Sequence, residues 1–480
     1  MSKLRVLAGE TLLYGLGSIL PKVLNFFLIV LHTRIFSPAQ YGVITYLYAW
    51  VAFLNIVFTF GMETAFFRFS TKPGADPKRV FNLVQSVVLS ISLPLSILFI
   101  AYAQPIAASL HVGGHPEFII WLTLMMLLDA AVAIPFARLR LEKRPLKFAL
   151  ARILNILIVI ALNFYFLKIN YNPAVGVGYV LLANLIGNGF YLLFFAHDLL
   201  NWRPVVDREI SPAMLKYAYP VMLTGLAGMT NEMFSRLTLE WWLPQNFYGE
   251  KSRAFALGVF AACYRYSVIM SLAVQAFRFA AEPFFFSNAA DKNSPALFAR
   301  VNHYFVMTCC VLLLGVSVNM DILKLILGNK EYWSGLNIVP ILLMAYLFLG
   351  IYYNVSVWFK ITDKTYFGTV ITVGGAVLTM VLNYFFIPLA GYTGSSWAAF
   401  LVYLLMAVAC YLLGQRYYPI PYKVFSDFSY IAVTAVLIFL ISKVTLANLW
   451  LSFGFHTGVM VIFVASIYLL ENKNGRTIVS

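Results

Sequence analysis

The feature that governs this 480-residue chain is the recurrence of apolar runs about as long as a bilayer is thick. A hydrocarbon core of roughly 30 Å takes about 20 consecutive apolar residues in helical form. Such runs cover 9–33, 41–66, 80–103, 117–138, 147–168, 174–199, 213–238, 254–280, 297–320, 335–359, 366–388, 393–415, 427–447 and 450–470. Runs of this length read as helices, which satisfy their own backbone polar groups in lipid. The expectation is an all-α polytopic membrane protein of about fourteen transmembrane helices. Charge agrees: 11% of residues are charged, against about 25% in a soluble domain. So few charges would leave a water-facing surface uncovered.

Orientation follows from Lys and Arg in the short loops. Lys3 and Arg5 precede a run that continues past Leu31, too long for a signal-peptide core, so it reads as the first span. With the N-terminus in the cytoplasm, 23 of the 34 Lys and Arg fall on cytoplasmic segments and 7 on external ones. Lys22, Arg152, Arg236 and Arg265 lie within spans. The bias predicts both termini inside and an even helix number. It also accounts for the net charge of +15 without a nucleic-acid partner. Cys263, Cys309, Cys310 and Cys410 all fall in spans and suggest no disulfide framework.

The polar linker Asn201–Pro212 follows the sixth span, so the seventh re-enters with the orientation of the first. A parallel repeat is then allowed, its halves related by an axis along the membrane normal. Loops of about a dozen residues leave no room for a soluble catalytic domain, and no GxxxxGK[ST], HExxH, CxxC or GxSxG occurs. The six His show no metal-ligand spacing. Neither an enzyme nor a metal or organic cofactor is expected.

Ionisable residues inside spans are therefore the informative ones, since each costs about 2.5–3.5 kcal/mol at the centre of a helix. Lys22 lies halfway along the first span, with Asn25 one turn on, and Asp129 lies near the middle of the fourth. Asn231, Glu232 and Arg236 cluster in the seventh, where the i,i+4 spacing lets Glu232 and Arg236 share a face as an ion pair. Arg265 is at mid-depth in the eighth, which carries a polar stripe of Tyr264, Ser271, Gln275, Arg278 and Glu282. Glu63 and Arg152 lie nearer the cytoplasmic surface. Plain structural roles compete: a helix-locking pair at Glu232 and Arg236, snorkelling for Arg68, Arg152 and Arg278, and a local hydrogen bond for Asp129. Lys22 and Arg265 fit snorkelling least. Two cations on one cavity would attract an anion, and the Arg fork suits phosphate oxygens. The pattern points to a secondary transporter of an anionic, amphiphilic substrate.

The segment Tyr14–Thr33 followed by Arg34–Gly42 (RIFSPAQYG) resembles the opening of bacterial lipid-linked oligosaccharide flippases. These form the polysaccharide transporter family of the multidrug/oligosaccharidyl-lipid/polysaccharide (MOP) superfamily. Phe60–Phe69 resembles the end of that family's second helix, and Phe277–Arg278 with Glu282–Phe285 the end of its eighth. Asn383, Ile387, Pro388, Gly391 and Gly394 resemble the N-x-x-x-I-P-x-x-G-x-x-G element between its eleventh and twelfth. The resemblance implies two six-helix lobes in a V, 1–200 and 213–415, with two extra C-terminal helices in 416–480. It implies transfer of undecaprenyl-pyrophosphate-linked oligosaccharide, an O-antigen or other repeat unit of lipopolysaccharide or polysaccharide biosynthesis, across the bacterial inner membrane by alternating access. Lys22, Arg265, Asp129, Asn25 and Gln275 are then the substrate-binding candidates. Glu232, Arg236, Asn231, Asn383 and Glu63 are the candidates for ion coupling or gating, driven by a Na⁺ or H⁺ gradient or by membrane potential. Expected partners are the lipid-linked saccharide, membrane lipids and other polysaccharide-assembly membrane proteins. A lipid II flippase, a cation-coupled drug exporter and a membrane-embedded polymerase or acyltransferase stay open as alternatives. The short external loops weigh against an enzyme, and drug exporters of the superfamily typically stop at twelve spans.

Overall fold

Proline sets many of the helix starts, its missing N–H falling where a helix has no acceptor to offer. The computed structural model describes residues 3–477 apart from 290, 292 and 445–447; the chain ends that the charge bias places in the cytoplasm lie outside the described residues. The chain divides into two compact units, one of residues up to Leu237 and one from Thr238 onward, with Ser37–Ala39 counted in the second.

In the first unit, α1 spans Lys3–Ile35, α2 Pro38–Thr59, α3 Met62–Ser70, α4 Pro77–Ala101, α5 Ala103–Ser109 and α6 Pro116–Leu141. Then come α7 Pro145–Phe164, α8 Gly178–Phe194, α9 Ala196–Leu200 and α10 Ile210–Trp242 up to Leu237. The second unit holds α11 Arg253–Asn288, α12 Ser294–Val318, α13 Met320–Leu323, α14 Val339–Val355 and α15 Val357–Ile361. Its last helices are α16 Tyr366–Tyr417, α17 Val424–Ile441 and α18 Leu449–Thr477. No strand occurs among the described residues. Among the described residues, eleven helical segments are long and apolar enough to cross a membrane.

Each expected span lies largely on helix, residues 445–447 at the end of 427–447 lying outside the described residues, and the interruptions have local causes. The run 41–66 is α2 and α3, parted where Phe60 and Gly61 take φ of 49° and 68°. The run 147–168 is α7 closed by a π-helical turn, Tyr165–Ile169. The run 335–359 opens in a 3₁₀ stretch, Lys330–Ile338, before α14. In the first unit a core of Phe58, Met62, Phe66, Val84 and Phe118 joins α2 and α3 to α4 and α6, and His32 Nε2 meets Asn163 Oδ1 at 2.9 Å to fasten α1 to α7. The linker 201–212 is strapped to α4: Val205 N–H donates to Ser86 Oγ at 3.0 Å, and Arg79 pairs with Asp207 at 2.9 Å.

In the second unit, the expected spans 366–388 and 393–415 form one 52-residue element turned back at Gly391, whose φ of 57° and ψ of −136° leave the helical region. A Cβ there would lie 2.1 Å from the hydroxyl of Tyr248, and one at Gly394 would lie 2.1 Å from the carbonyl oxygen of Phe386. Only glycine fits both positions. Tyr248, in the α10–α11 loop, accepts from the N–H of Tyr392 at 3.1 Å and stacks on its ring with centroids 4.7 Å apart. Burial holds the Tyr248 phenol above its usual pKa. The C-terminal helices are clasped to α12 by His303, whose side chain is 2% exposed. His303 Nδ1 bonds Asp427 of α17, and its Nε2 lies 3.2 Å from Glu471 Oε1 of α18. Asn302 adds a bond to Asp427 at 3.2 Å, and Tyr430 one to Glu471 at 3.0 Å.

Candidate functional site

Three helices of the first unit, α2, α7 and α8, bring polar side chains toward Asp129, midway along α6. Asn188 of α8 donates to its Oδ1 at 2.9 Å, and Asn55 of α2 donates to its Oδ2 at 3.4 Å. Asn155 of α7 in turn donates to Asn188 Oδ1 at 3.3 Å. An ionised carboxylate only accepts, so the amides are ordered toward it. Each of the four is half-buried rather than sealed. Arg152 lies one turn from Asn155 along α7 and acts electrostatically on Asp129. Its guanidinium rests 4.2 Å from the ring centre of Phe136 and 5.7 Å from that of Tyr191. Rings thus cover one side of a cation whose other side is exposed. The arrangement offers a carboxylate, amides and a positive charge along one half-buried path, the groups that recognise hydroxyls beside an anion.

The other expected residues are distributed as follows. Lys22 is exposed and Asn25 half-buried, one turn apart on α1 in the first unit. Arg265 and Gln275, both half-buried, lie on α11 in the second. On α10, Arg236 is buried and Glu232 exposed. The Arg236 guanidinium donates to the backbone carbonyl of Glu232 at 3.1 Å. Among the described residues the Glu232 carboxylate enters no ion pair. Asn231 is half-buried on the same helix. Asn383 is fully buried in α16; it donates to Thr379 O at 2.8 Å and accepts from Ser395 Oγ at 2.8 Å, across the Gly391 turn. Glu63 pairs with Arg140 at the polar end of the first unit. The stripe on α11 ends in charge: Glu282 lies 2.5 Å from Lys360 Nζ and 3.6 Å from Arg278 Nε.

Sequence reasoning singled out Asp129 but missed Asn55, Asn155 and Asn188. The available signal was the polar amide in an apolar run, which marks a residue that has to find a partner in lipid. Arg152 is also no simple snorkelling residue, since aromatic rings from α6 and α8 hold it.

Residues 7–289 match the protein family described as "Polysaccharide biosynthesis protein". Among solved structures, the lipid II flippase MurJ in an inward-closed conformation superposes with a TM-score of 0.72 at 15% identity, over 95% of this chain and 99% of that one. An inward-facing multidrug-resistance MATE transporter of the MOP superfamily gives 0.62 at 14% identity, over 82% and 94%. An aspartate-to-asparagine mutant of the MATE transporter VcmN of Vibrio cholerae gives 0.54 at 15% identity, over 86% and 96%. These establish the fold. Among curated proteins, sequence comparison finds no match.

Proposed function

Because the chain belongs to the polysaccharide biosynthesis protein family and shares its fold with a transporter of the MOP superfamily, we propose that it is a flippase-type transporter that moves polyprenyl-pyrophosphate-linked saccharide from the inner to the outer leaflet of the bacterial inner membrane. One coincidence carries the reading: the family is one of polysaccharide biosynthesis, and the fold that spans 95% of the chain is that of a flippase. A chain with no sizeable soluble domain has to work on its substrate within the bilayer.

In this reading the saccharide meets Asp129, Asn155 and Asn188, whose half-buried carboxylate and amides suit hydroxyl groups. Lys22 with Asn25 on α1, and separately Arg265 with Gln275 on α11, are each candidates to bind phosphate oxygens, the lysine as a point charge and the arginine as a fork. The polyprenyl tail stays in lipid. Exchange between inward- and outward-open states then carries the head group across. Glu232, an exposed carboxylate within a membrane helix, is the group through which an ion gradient would act, with Asn231 and Arg236 beside it on α10; Asn383 on α16 is a companion candidate. Glu63 and Arg140 form an ion pair suited to opening and closing one end. Membrane potential is a sufficient source, since about 2.3 kcal/mol is gained per charge across 100 mV.

The test is reconstitution into liposomes with a fluorescent undecaprenyl-pyrophosphate saccharide, scoring leaflet transfer. Parallel samples carry lipid II and a cationic dye. Transfer of the saccharide lipid with no dye movement is expected. Faster transfer of lipid II would move the substrate to a peptidoglycan precursor, and dye export without lipid transfer would end the proposal.

A further inference from the structure

A second polar feature of the first unit lies away from Asp129, at the end where α6 stops, α7 starts and α8 runs into α9. A cavity of about 520 Å³ opens there, above the roughly 300 Å³ at which small-ligand sites begin. Arg138, Arg144 and Lys147 line it together with the carboxylates Glu142 and Asp198. The carboxylates are already engaged. Glu142 Oε1 takes Arg138 Nε at 2.6 Å, its Oε2 lies 3.0 Å from Arg144 Nε, and Asp198 takes Arg138 Nη1 at 2.9 Å. These bonds hold the guanidinium groups by one edge. Among the described residues, Arg138 Nη2, both terminal nitrogens of Arg144 and the Lys147 ammonium have no hydrogen-bond or ion-pair partner. Several fixed donors thus face one cavity, and its Arg, Lys, Glu and Asp side chains sum to one positive unit.

The remaining walls are apolar, from Leu139, Leu150, Phe194 and Phe195. Leu146, Leu150 and Leu193 beside the cavity are 68%, 52% and 77% exposed, as side chains that face acyl chains are. A cationic rim over an apolar flank at a membrane interface matches a lipid with a phosphate head. Charge balance narrows the class. One phosphodiester brings the cavity to neutrality, whereas a pyrophosphate overshoots and a zwitterionic head adds back the positive charge. By the bias of Lys and Arg, this end faces the cytoplasmic leaflet.

We propose that the cavity lined by Arg138, Arg144 and Lys147 binds the phosphodiester head group of an anionic phospholipid. The inference is independent of the transport reading, because it requires only that the first unit sits in a bilayer.

The experiment is native mass spectrometry of the full chain in neutral detergent, titrated with phosphatidylglycerol. The wild type should retain the lipid. The Arg144→Gln/Lys147→Gln variant should bind it about thirtyfold more weakly, the ratio for losing two interfacial cations. Affinity for phosphatidylcholine should not change. Lys147→Glu, at a residue with no described partner to lose, should show a loss in the same direction and keeps the test valid if the double variant unfolds. A Lys72→Gln/Lys78→Gln variant, elsewhere at the same end, should bind phosphatidylglycerol as the wild type does; an equal loss there would reduce the effect to general surface charge and overturn the site. Unchanged binding by both cavity variants would overturn it as well. So would water-soluble glycerophosphoglycerol binding as tightly as the lipid, or a polyprenyl-pyrophosphate saccharide displacing phosphatidylglycerol from the wild type at lower concentration.

Discussion

Asn188 Nδ2 lies 2.9 Å from Asp129 Oδ1, joining two helices across 59 residues of sequence. The bond fixes an intramembrane carboxylate that also answers to Asn55 and, through Asn188, to Asn155. Asp129→Asn keeps the shape of the group but removes its charge and half its acceptor capacity. Leaflet transfer should fall at least tenfold while abundance stays normal. Asn188→Ala should cost about 1–3 kcal/mol of stability by leaving the carboxylate short of a donor. Thermal unfolding in detergent reads the second effect and the liposome assay the first. An Asp129→Asn protein that transports normally would remove Asp129 from the substrate path.

Lys22 and Arg265 supply the sharper test of anion binding. Neutral replacement of either, by Ala or Gln, should leave insertion intact and stop transfer. Lys22→Arg should retain part of the activity because the charge survives. Arg265→Lys should lose more, because the two-pronged donor is gone. If the residues were only tolerated in the membrane, neutral replacements would be harmless or stabilising, so normal transfer by the double neutral variant would end the anion-binding role.

The clasp at His303 predicts a stability effect. His303→Ala leaves Asp427 and Glu471 facing one another, their side chains only 10% and 18% exposed. Removing one partner of such a buried set costs about 3–5 kcal/mol. Protease nicking between α16 and α17 should rise in parallel. Wild-type resistance to proteolysis would show that packing alone retains the C-terminal helices.

The linker carries a pH dependence of known sign. Asp207 is held below its ordinary pKa, first by the N–H of Ile210 and then by that of Glu209 and by Arg79. A group with a lowered folded pKa stabilises above its unfolded value, about 3.9 for Asp, and its contribution is lost as pH falls through the folded value. Protection of the Glu209 and Ile210 amides, their exchange relative to the intrinsic rate at each pH, should therefore hold at neutral pH and fall only in strong acid. In Asp207→Asn protection should be lower than wild type at neutral pH and nearly independent of acid. Identical profiles for the two proteins would exclude the capping role.

What the sequence made legible follows from the physics of each feature. Span positions could be read because bilayer thickness imposes length, and a run of twenty apolar residues has few other uses. Asp129, Lys22 and Arg265 stood out as candidates because charge in lipid is costly wherever it sits. The partners of Asp129 could not, since residues 55, 155 and 188 converge only after helices pack, and asparagine in a span carries no register. Arg152 looked like an interfacial side chain because its cover, Phe136 and Tyr191, comes from neighbouring helices. The spacing from Asn383 to Gly394 was visible as a motif, but Tyr248, the side chain that makes Gly391 obligatory, stands more than a hundred residues upstream.

The turn at Gly391 has a consequence for biogenesis. Two membrane crossings joined with no intervening loop cannot enter the bilayer one after the other as separate decisions of the insertion machinery. The segment 366–417 should leave the translocon as a single helical hairpin, its second arm partitioning only when the first is already beside it. The same site leaves no loop into which a tag could be inserted.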